Sequence, residues 1–269
     1  MFKLNHQSIF IYCITDLFKK NLKSKFLTFP NEGIVPIYKE AGMTSANCIN
    51  ILKYHMSTNK NVKLGHAGTL DADAQGVLVS GGNRKSYSVM AVFGYETDTL
   101  DSPGHIVGEF KEYRHLTKQI INERLQVMLG EMVQIPPVYS AIKVNGKSLS
   151  EMAIKNRVNE ETSTKPQGRL VSLYSAHCKW YCERSGIAEI ELEVSSGFYV
   201  RSLVRDMALQ LNSTAYSSQI TRTKAGPFTL EHSLKLKQIN QNSLFATIAS
   251  SKTLFENYEF DSKPSQKVR

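Results

Sequence analysis

Hydrophobic positions along this chain follow two periodicities, one typical of strands and one typical of helices. Between Ile187 and Val194 apolar residues alternate with polar ones, mainly glutamates, which predicts a strand with one buried face. Runs rich in β-branched and aromatic residues predict further strands over 33–38 and 86–94. Helices are predicted in four ranges, three of which show apolar residues at helical spacing: 44–56, 116–129, 148–156 and 202–211.

These elements mix strands and helices without a strict strand–helix–strand rhythm. Such an order predicts an α+β domain with a mixed, mostly antiparallel central sheet flanked by helices. The chain has 269 residues, of which 41% are hydrophobic, and this supplies a core for one large domain or two small ones. Thr44 or Ser45 is the predicted cap of the first helix.

Charge and cysteine content narrow the class of protein. Lys and Arg total 33 against 24 Asp and Glu, a formal net charge of +9, which favours polyanionic partners such as nucleic acid. No apolar run approaches transmembrane length, so we expect no membrane partner. A chain this long with four cysteines and no secretory signal indicates an intracellular protein with reduced thiols. Cys178 and Cys182 with His177 lack a second ligand pair, which favours ordinary thiols over a metal site.

The two ends differ from the middle of the chain. Residues 1–32 form a basic, acid-poor extension with interleaved apolar residues, and two interpretations stay open: a mitochondrial transit segment or a disordered leader. The absence of arginine counts against the first. The compartment therefore stays undecided between the nucleus or cytoplasm and the mitochondrion. The segment 251–269 is a polar C-terminal tail, of which 261–269 is predicted to be disordered.

The segment 63–80, which reads KLGHAGTLDADAQGVLVS, holds the most specific chemistry. It places Asp71 in a glycine-punctuated turn between a basic entry that carries His66 and an apolar run. Glycines permit backbone angles and close approaches that other residues resist. Taken alone, the pattern describes either a surface turn or an exposed acid held at the mouth of a cleft.

This segment resembles the signature loop of the TruB family of tRNA pseudouridine synthases, in which the Asp is the catalytic carboxylate. Blocks at 87–101, 134–146 and 195–206 follow in the family's order, and 221–228 resembles the form typical of eukaryotic stand-alone members. The resemblance covers about 33–236. It implies the pseudouridine synthase fold over a catalytic domain at 33–250, with the cleft across the sheet, and no appended PUA domain.

The resemblance also implies an activity, the isomerisation of uridine to pseudouridine at position 55 in the TΨC loop of tRNA, extending to hairpins in mRNA. The reaction has no net redox change, so we expect no cofactor and no metal. The expected partner is tRNA, and the expected state is a monomer. Two rivals stay open: a guide-RNA-dependent synthase, and a catalytically silent RNA-binding or RNA-folding protein.

Three residues match the family's catalytic positions. Asp71 is the expected carboxylate, Arg201 its ion-pair partner, and Tyr87 the aromatic residue that stacks on the base and accepts the C5 proton. Burial raises the pKa of an acid, and a nearby guanidinium offsets this effect. Read without the resemblance, Tyr87 is a packing residue of a strand and Arg201 a surface residue.

Further positions are expected to bind the substrate. His66 takes part in flipping the target nucleotide, Tyr199 forms a pocket wall on the same face as Arg201 if the strand continues, and Ile220 gives an apolar contact. The expected phosphate contacts are Lys63, Lys143, Lys147 and Arg222.

The sequence departs from the family pattern between the signature loop and Tyr87. Only the residues 79–86 intervene there, where the family has a basic turn and a helix. This shortening motivates the alternative of a catalytically silent protein, because the loss of that helix would bare one side of the catalytic subdomain.

Overall fold

The computed structural model describes residues 33–56, 64–66, 68–79, 84–140, 142–144, 147, 148, 150 and 167–258. These residues divide into two compact units. Unit 1 takes its residues from Met1–Leu70, Gly76–Arg84 and Lys224–Arg269, and unit 2 from Asp71–Gln75 and Lys85–Thr223.

Helices and strands are both present throughout the described residues. The α-helices there are α1 (Ser45–Met56), α2 (Lys118–Val127), α3 (Val200–Gln210) and α4 (Gln241–Glu256), and Leu236–Gln238 forms a 3₁₀ turn. The strands are β1 (Ile37–Lys39), β2 (Gln75–Leu78), β3 (Arg84–Phe93), β4 (Glu96–Thr97), β5 (Ile106–Val107), β6 (Gly130–Gln134), β7 (Lys143–Val144), β8 (Lys147–Ser148), β9 (Arg169–Cys182), β10 (Ile187–Ser195), β11 (Ala215–Ala225), β12 (Phe228–Thr229) and β13 (Leu234–Lys235).

Unit 1 packs α1 and α4 around a short piece of sheet. Strand β1 pairs antiparallel with β2 and parallel with β13. Thr44 caps α1, because its Oγ1 accepts a hydrogen bond from the Asn47 amide at 3.1 Å, as the sequence predicted. The buried cluster of this unit joins both helices to the sheet, and it consists of Val35, Ile37, Leu52, Met56, Ile239, Leu244 and Ile248.

Unit 2 is built on a sheet whose strands follow the order β11–β3–β10–β9–β6. Strand β9 pairs antiparallel with both β10 and β6. Helix α2 is fixed to β9 through side-chain amides: the Asn122 Oδ1 accepts from the Cys178 amide at 2.7 Å, and the Gln126 Nε2 donates to the Ala176 carbonyl at 3.0 Å. Mixed helices and a mostly antiparallel sheet confirm the α+β prediction.

The two faces of this sheet differ in character. On β3, inward-facing residues alternate with half-buried ones over the whole strand, so Lys85 and Tyr87 point inward while Ser88 points outward. Outward, the Ser88 hydroxyl donates to the Glu189 carboxylate on β10 at 2.9 Å.

Most predicted elements are found with shifted ends. The helices predicted over 44–56, 116–129 and 202–211 and the strands over 86–94 and 187–194 correspond to α1, α2, α3, β3 and β10. The strand predicted over 33–38 begins only at Ile37, after Pro36, which has no amide hydrogen to donate to a ladder. Most of the predicted 148–156 helix lies outside the described residues, and Ser148 belongs to β8.

Candidate active site

The Arg201 side chain is the centre of a buried polar cluster in unit 2. It lies in the first turn of α3 and is only 4% exposed. Its Nη2 lies 2.9 Å from the Asp71 Oδ2, and its Nη1 lies 3.1 Å from the Asp101 Oδ2. The same two nitrogens donate to the carbonyl oxygens of Tyr139 at 2.9 Å and Thr99 at 2.6 Å. Two carboxylates and two carbonyls thus pair with both Nη atoms of this buried charge, while its Nε has no hydrogen-bond partner among the described residues.

Hydrogen bonds to the segment 134–139 fix the start of α3. The Gln134 side chain brackets Tyr199, since its Oε1 accepts from the Tyr199 amide at 2.7 Å and its Nε2 donates to the Tyr199 carbonyl at 2.9 Å. The Ser202 hydroxyl donates to the Ile135 carbonyl at 2.8 Å. Because neighbours on both sides are held, the Arg201 side chain leaves a rigid backbone, which suits preorganised electrostatics.

Hydrogen bonds hold the residues on each side of Asp71 within their own units. The Ser45 hydroxyl donates to the Leu70 carbonyl at 3.0 Å and accepts from the Leu70 amide at 3.1 Å. After the acid, the Gln75 Nε2 donates to the Thr221 Oγ1 at 3.1 Å. The Asp71 side chain itself is 40% exposed, so a substrate can reach it.

Asp101 belongs to this polar cluster, and the sequence did not predict it. The Thr99 hydroxyl donates to its Oδ1 at 2.5 Å, and its side chain is 15% exposed. Burial raises the pKa of Asp101, against the opposing effects of Arg201 and Thr99. The only signal for it was its place at the end of the 87–101 block, which is dense in acids and threonines.

Leu100 gives this acid its orientation through an unusual backbone angle. Its φ is 62°, in the left-handed region that a leucine rarely adopts, and its side chain is buried. The Leu100 carbonyl accepts from the Ser217 amide of β11 at 3.0 Å. This turn lets the carbonyl of residue 99 and the carboxylate of residue 101 face the same guanidinium. Strain of about 1–3 kcal/mol is typical of functional sites.

The two predicted pocket residues on neighbouring strands are both inward-facing. Tyr87 on β3 is 8% exposed and Ile220 on β11 is 7% exposed. Tyr199 is half-buried, and burial raises the pKa of its phenol, with Asp71 and Arg201 among the charges that act on it. The strand continuation expected at Tyr199 is wrong, because this residue is the N-cap of α3. Its closeness to the ion pair therefore comes from the helix start and not from strand alternation.

The remaining predicted binding residues are placed differently. His66 is half-buried and belongs to unit 1. Lys63 lies outside the described residues, and for Lys143 and Lys147 only the backbone is described, in β7 and β8. Arg222 is 1% exposed on β11, in contrast to the surface position that a simple phosphate contact would occupy.

The described residues contain neither a metal-binding cluster nor a membrane-spanning helix. No three or more His, Cys, Asp and Glu side chains of that part of the chain are grouped so that they would hold a metal ion. Its helices also include none with the length and apolar content needed to cross a bilayer.

Solved structures share this fold at low sequence identity. The chain is similar to a chain of a Cbf5–Nop10–Gar1 complex, with a TM-score of 0.56, 20% identity and coverage of 83% of this chain and 58% of that one. A chain of an archaeal box H/ACA sRNP Nop10–Cbf5 complex matches with a TM-score of 0.54 and 18% identity over 81% of this chain and 58% of that one. The likeness places the molecule in the pseudouridine synthase fold class, as the sequence predicted.

The chain belongs to the TruB family. The model of the TruB family pseudouridylate synthase N-terminal domain matches residues 54–200. Pseudouridylate synthase TRUB1 of Homo sapiens is 34% identical over 238 residues, which cover 79% of this chain and 66% of that protein. The tRNA pseudouridine synthase B of Limosilactobacillus reuteri is 34% identical over 222 residues, 77% of this chain and 72% of that protein. The chain thus spans about two thirds of the length of these curated relatives.

Proposed function

We propose that this protein is a tRNA pseudouridine synthase that isomerises the uridine at position 55 in the TΨC loop. The observation that carries the proposal is the 2.9 Å contact between Arg201 and Asp71, the acid of the loop that resembles the family signature. The relatives named tRNA pseudouridine synthase B support tRNA as the substrate. Hairpins in mRNA that present a similar loop are a second substrate class, and the protein acts as a monomer.

The reaction moves one bond within a nucleotide. The N1–C1′ bond breaks, the base turns, C5 bonds to C1′, and the proton of C5 leaves while N1 ends protonated. Asp71 starts this exchange, because it is the acid that the site exposes to a substrate. A carboxylate has three routes: attack on C1′, addition to the base, or removal of a sugar proton. All three use the carboxylate form of Asp71, and the Arg201 Nη2 lies 2.9 Å from its Oδ2.

The other site residues hold the base and receive its proton. Tyr87 stacks on the flipped uracil and accepts the C5 proton, Ile220 contacts the base, and Tyr199 closes one wall. His66 takes part in flipping the nucleotide out of its loop. Lys63 and Lys143 contact phosphates of the RNA. Asp101 is a positioning residue, since it acts through Arg201.

Incubation of the purified protein with an unmodified tRNA transcript tests this function. Pseudouridine is mapped at every uridine, with Asp71→Ala as the paired variant, a transcript with cytidine at position 55 and an mRNA-type hairpin as further arms. We expect product at position 55 alone in the tRNA, without added guide RNA, and none from the variant. Tight binding with no product from either protein would favour the silent rival, and product only with a guide RNA would favour the guide-dependent one.

A further inference from the structure

Lys85 is a buried lysine that the proposed reaction does not yet use. It lies on the inward face of β3, two residues before Tyr87, and is 7% exposed. Its Nζ lies 3.3 Å from the Ser196 Oγ. A lysine is rarely buried to this degree without an anionic partner.

A second cation adds to the positive charge around this lysine. Arg222, on the neighbouring strand β11, is 1% exposed and follows the predicted pocket residue Ile220 by two positions. Burial, with the charge of Arg222 adding to it, lowers the pKa of Lys85 to about 8. The lysine therefore sits in a field that disfavours its charged form until an anion arrives.

The ammonium group of the buried Lys85 contacts a residue that is itself exposed. Ser196, the residue that its Nζ contacts, is exposed, and so is the following Gly197. Gly197 has a φ of +87°, and a Cβ built at this position meets no atom within 4 Å. Beside the ammonium there is thus a glycine turn that faces open space, where a ligand can approach the backbone closely.

The position relative to the pocket indicates which anion fits. Lys85 and Tyr87 are two residues apart on one strand face, about 7 Å along the strand. A nucleotide has a comparable separation between its base and its own phosphate. If the base stacks on Tyr87, an adjoining phosphate reaches the exposed turn at Ser196 and Gly197.

We propose that Lys85 and Ser196 bind an RNA backbone phosphate that flanks the flipped uridine, with the guanidinium of Arg222 reinforcing the positive field. This inference rests on the proposed function, and it assigns Lys85 a substrate-positioning role. The phosphate supplies the counter-charge that the ammonium lacks in the described residues, and its binding favours the charged lysine. The charged contact then contributes to holding the nucleotide while Asp71 reacts.

The proposal is tested by combining single changes in the RNA backbone with substitutions in the protein. Hairpin RNAs carry one neutral methylphosphonate linkage on the 5′ side of the target uridine, on its 3′ side, or at a distant stem position as the control. Each RNA is assayed for affinity and for pseudouridine formation with the wild-type protein, Lys85→Met, Lys85→Arg, and Lys111→Met, which removes an exposed lysine of the same unit.

We expect one flanking neutral linkage to lower kcat/KM of the wild type roughly tenfold or more, mainly through KM, the size of a lost charged hydrogen bond. On the all-phosphate RNA, Lys85→Met should lower kcat/KM by the same factor. The flanking neutral linkage should then lower the kcat/KM of this variant no further. The sensitivity of a variant is its kcat/KM on the all-phosphate RNA divided by its kcat/KM on the RNA with the flanking neutral linkage. Lys85→Arg should keep most of the wild-type sensitivity, and Lys111→Met should keep all of it. Sensitivity is a ratio within one variant, so it does not depend on how much of that variant folds.

Ser196→Ala gives a second reading from an exposed residue. It should reduce the sensitivity to the same linkage a few-fold. If Lys85→Met and the neutral linkage each lower kcat/KM and the two effects multiply when they are combined, the proposal is overturned. So would equal rates on all RNAs combined with a response of the wild type to inorganic phosphate alone, which would assign the site to a free anion.

The proposal and the proposed function fail in different ways. Absence of pseudouridine from the wild type on the all-phosphate RNA would contradict the function. The affinity arms of the same cycle would then still decide whether Lys85 contacts the flanking phosphate.

Discussion

Two charged networks of unit 2 differ in how far solvent reaches them. Inside, Arg201 is 4% exposed and holds two carboxylates and two carbonyls. Outside, Lys179 is 53% exposed and bridges Glu189 at 3.4 Å and Glu191 at 3.2 Å. The distances are similar, so geometry alone does not separate a site from a surface.

Burial makes the difference between the two networks. Solvent screens the outer pairs, and such pairs contribute little to stability. The inner charges have lost their water, so each depends on its partners and leaves an uncompensated charge when one is removed. The inner network is therefore the part of the molecule in which single substitutions should change stability and chemistry together.

Replacing Arg201 should have the largest effect on stability. Arg201→Met leaves the Asp71 and Asp101 carboxylates close together and two carbonyls without donors, so we expect a loss of about 3–5 kcal/mol in the free energy of unfolding. The single tryptophan, Trp180 on β9, reports unfolding of unit 2 in urea. If Arg201→Met lowers the free energy of unfolding no more than Lys179→Met does, burial does not distinguish the two networks.

Lys85→Met should stabilise the RNA-free protein below pH 8. The folded pKa of about 8 is below the ordinary 10.5, so the wild type is destabilised while the lysine is charged and gains stability as the pH rises from 8 to 10.5. The shift corresponds to on the order of 3 kcal/mol. The groups acting on it are Arg222 and the Ser196 hydroxyl. Urea unfolding of the wild type and Lys85→Met at pH 7 and pH 10 measures the difference in their free energies of unfolding. A difference that does not shrink at the higher pH would contradict this prediction.

Asp101→Asn should reduce activity more than stability. Without the Asp101 charge, the guanidinium shifts toward Asp71, and misplacement of this kind lowers kcat by about 10- to 100-fold with little change in KM. Burial raises the folded pKa of Asp101, so the wild type gains stability relative to the variant as the pH falls through that pKa. Single-turnover assays and urea unfolding between pH 7 and pH 4 test both parts. An unchanged kcat would show that Asp101 has no positioning role.

Lys179→Met should have the smallest effect. It removes two solvent-screened ion pairs, so the midpoint of urea unfolding should stay close to that of the wild type, and pseudouridine formation should stay at the wild-type level. A large loss of stability to urea in Lys179→Met would mean that the exposed network stabilises the sheet despite its exposure to solvent.

Local patterns predicted the elements with one buried face. Glutamates alternate with apolar residues on β10 because one face is wet, and α1 starts where a threonine caps it. Strand β9 gave no clear alternation, because register shifts opposite Glu189/Ile190 and Glu193/Val194 break its period of two. Helix α4 shows few regularly spaced apolar residues, and it was missed despite its capping box at Asn240 and Ser243.

The site was predicted by resemblance and extended by tertiary structure. Asp71 and Arg201 are distant in sequence, and only the matching motifs paired them in advance. The importance of Asp101 and Lys85 depends on burial and on what faces them, and neither is written in local sequence. Tyr199 shows the opposite error, since a strand pattern was extended into what is the start of a helix.

The central claim is that Asp71, held by Arg201, starts the isomerisation of a bound uridine. Single-turnover conversion of one hairpin RNA by wild type and Asp71→Asn, at protein concentrations that saturate binding, tests it most directly. The account predicts equal RNA affinity, full conversion by the wild type, and a rate at least about a thousandfold lower for the variant. Conversion at the wild-type rate by Asp71→Asn would contradict it.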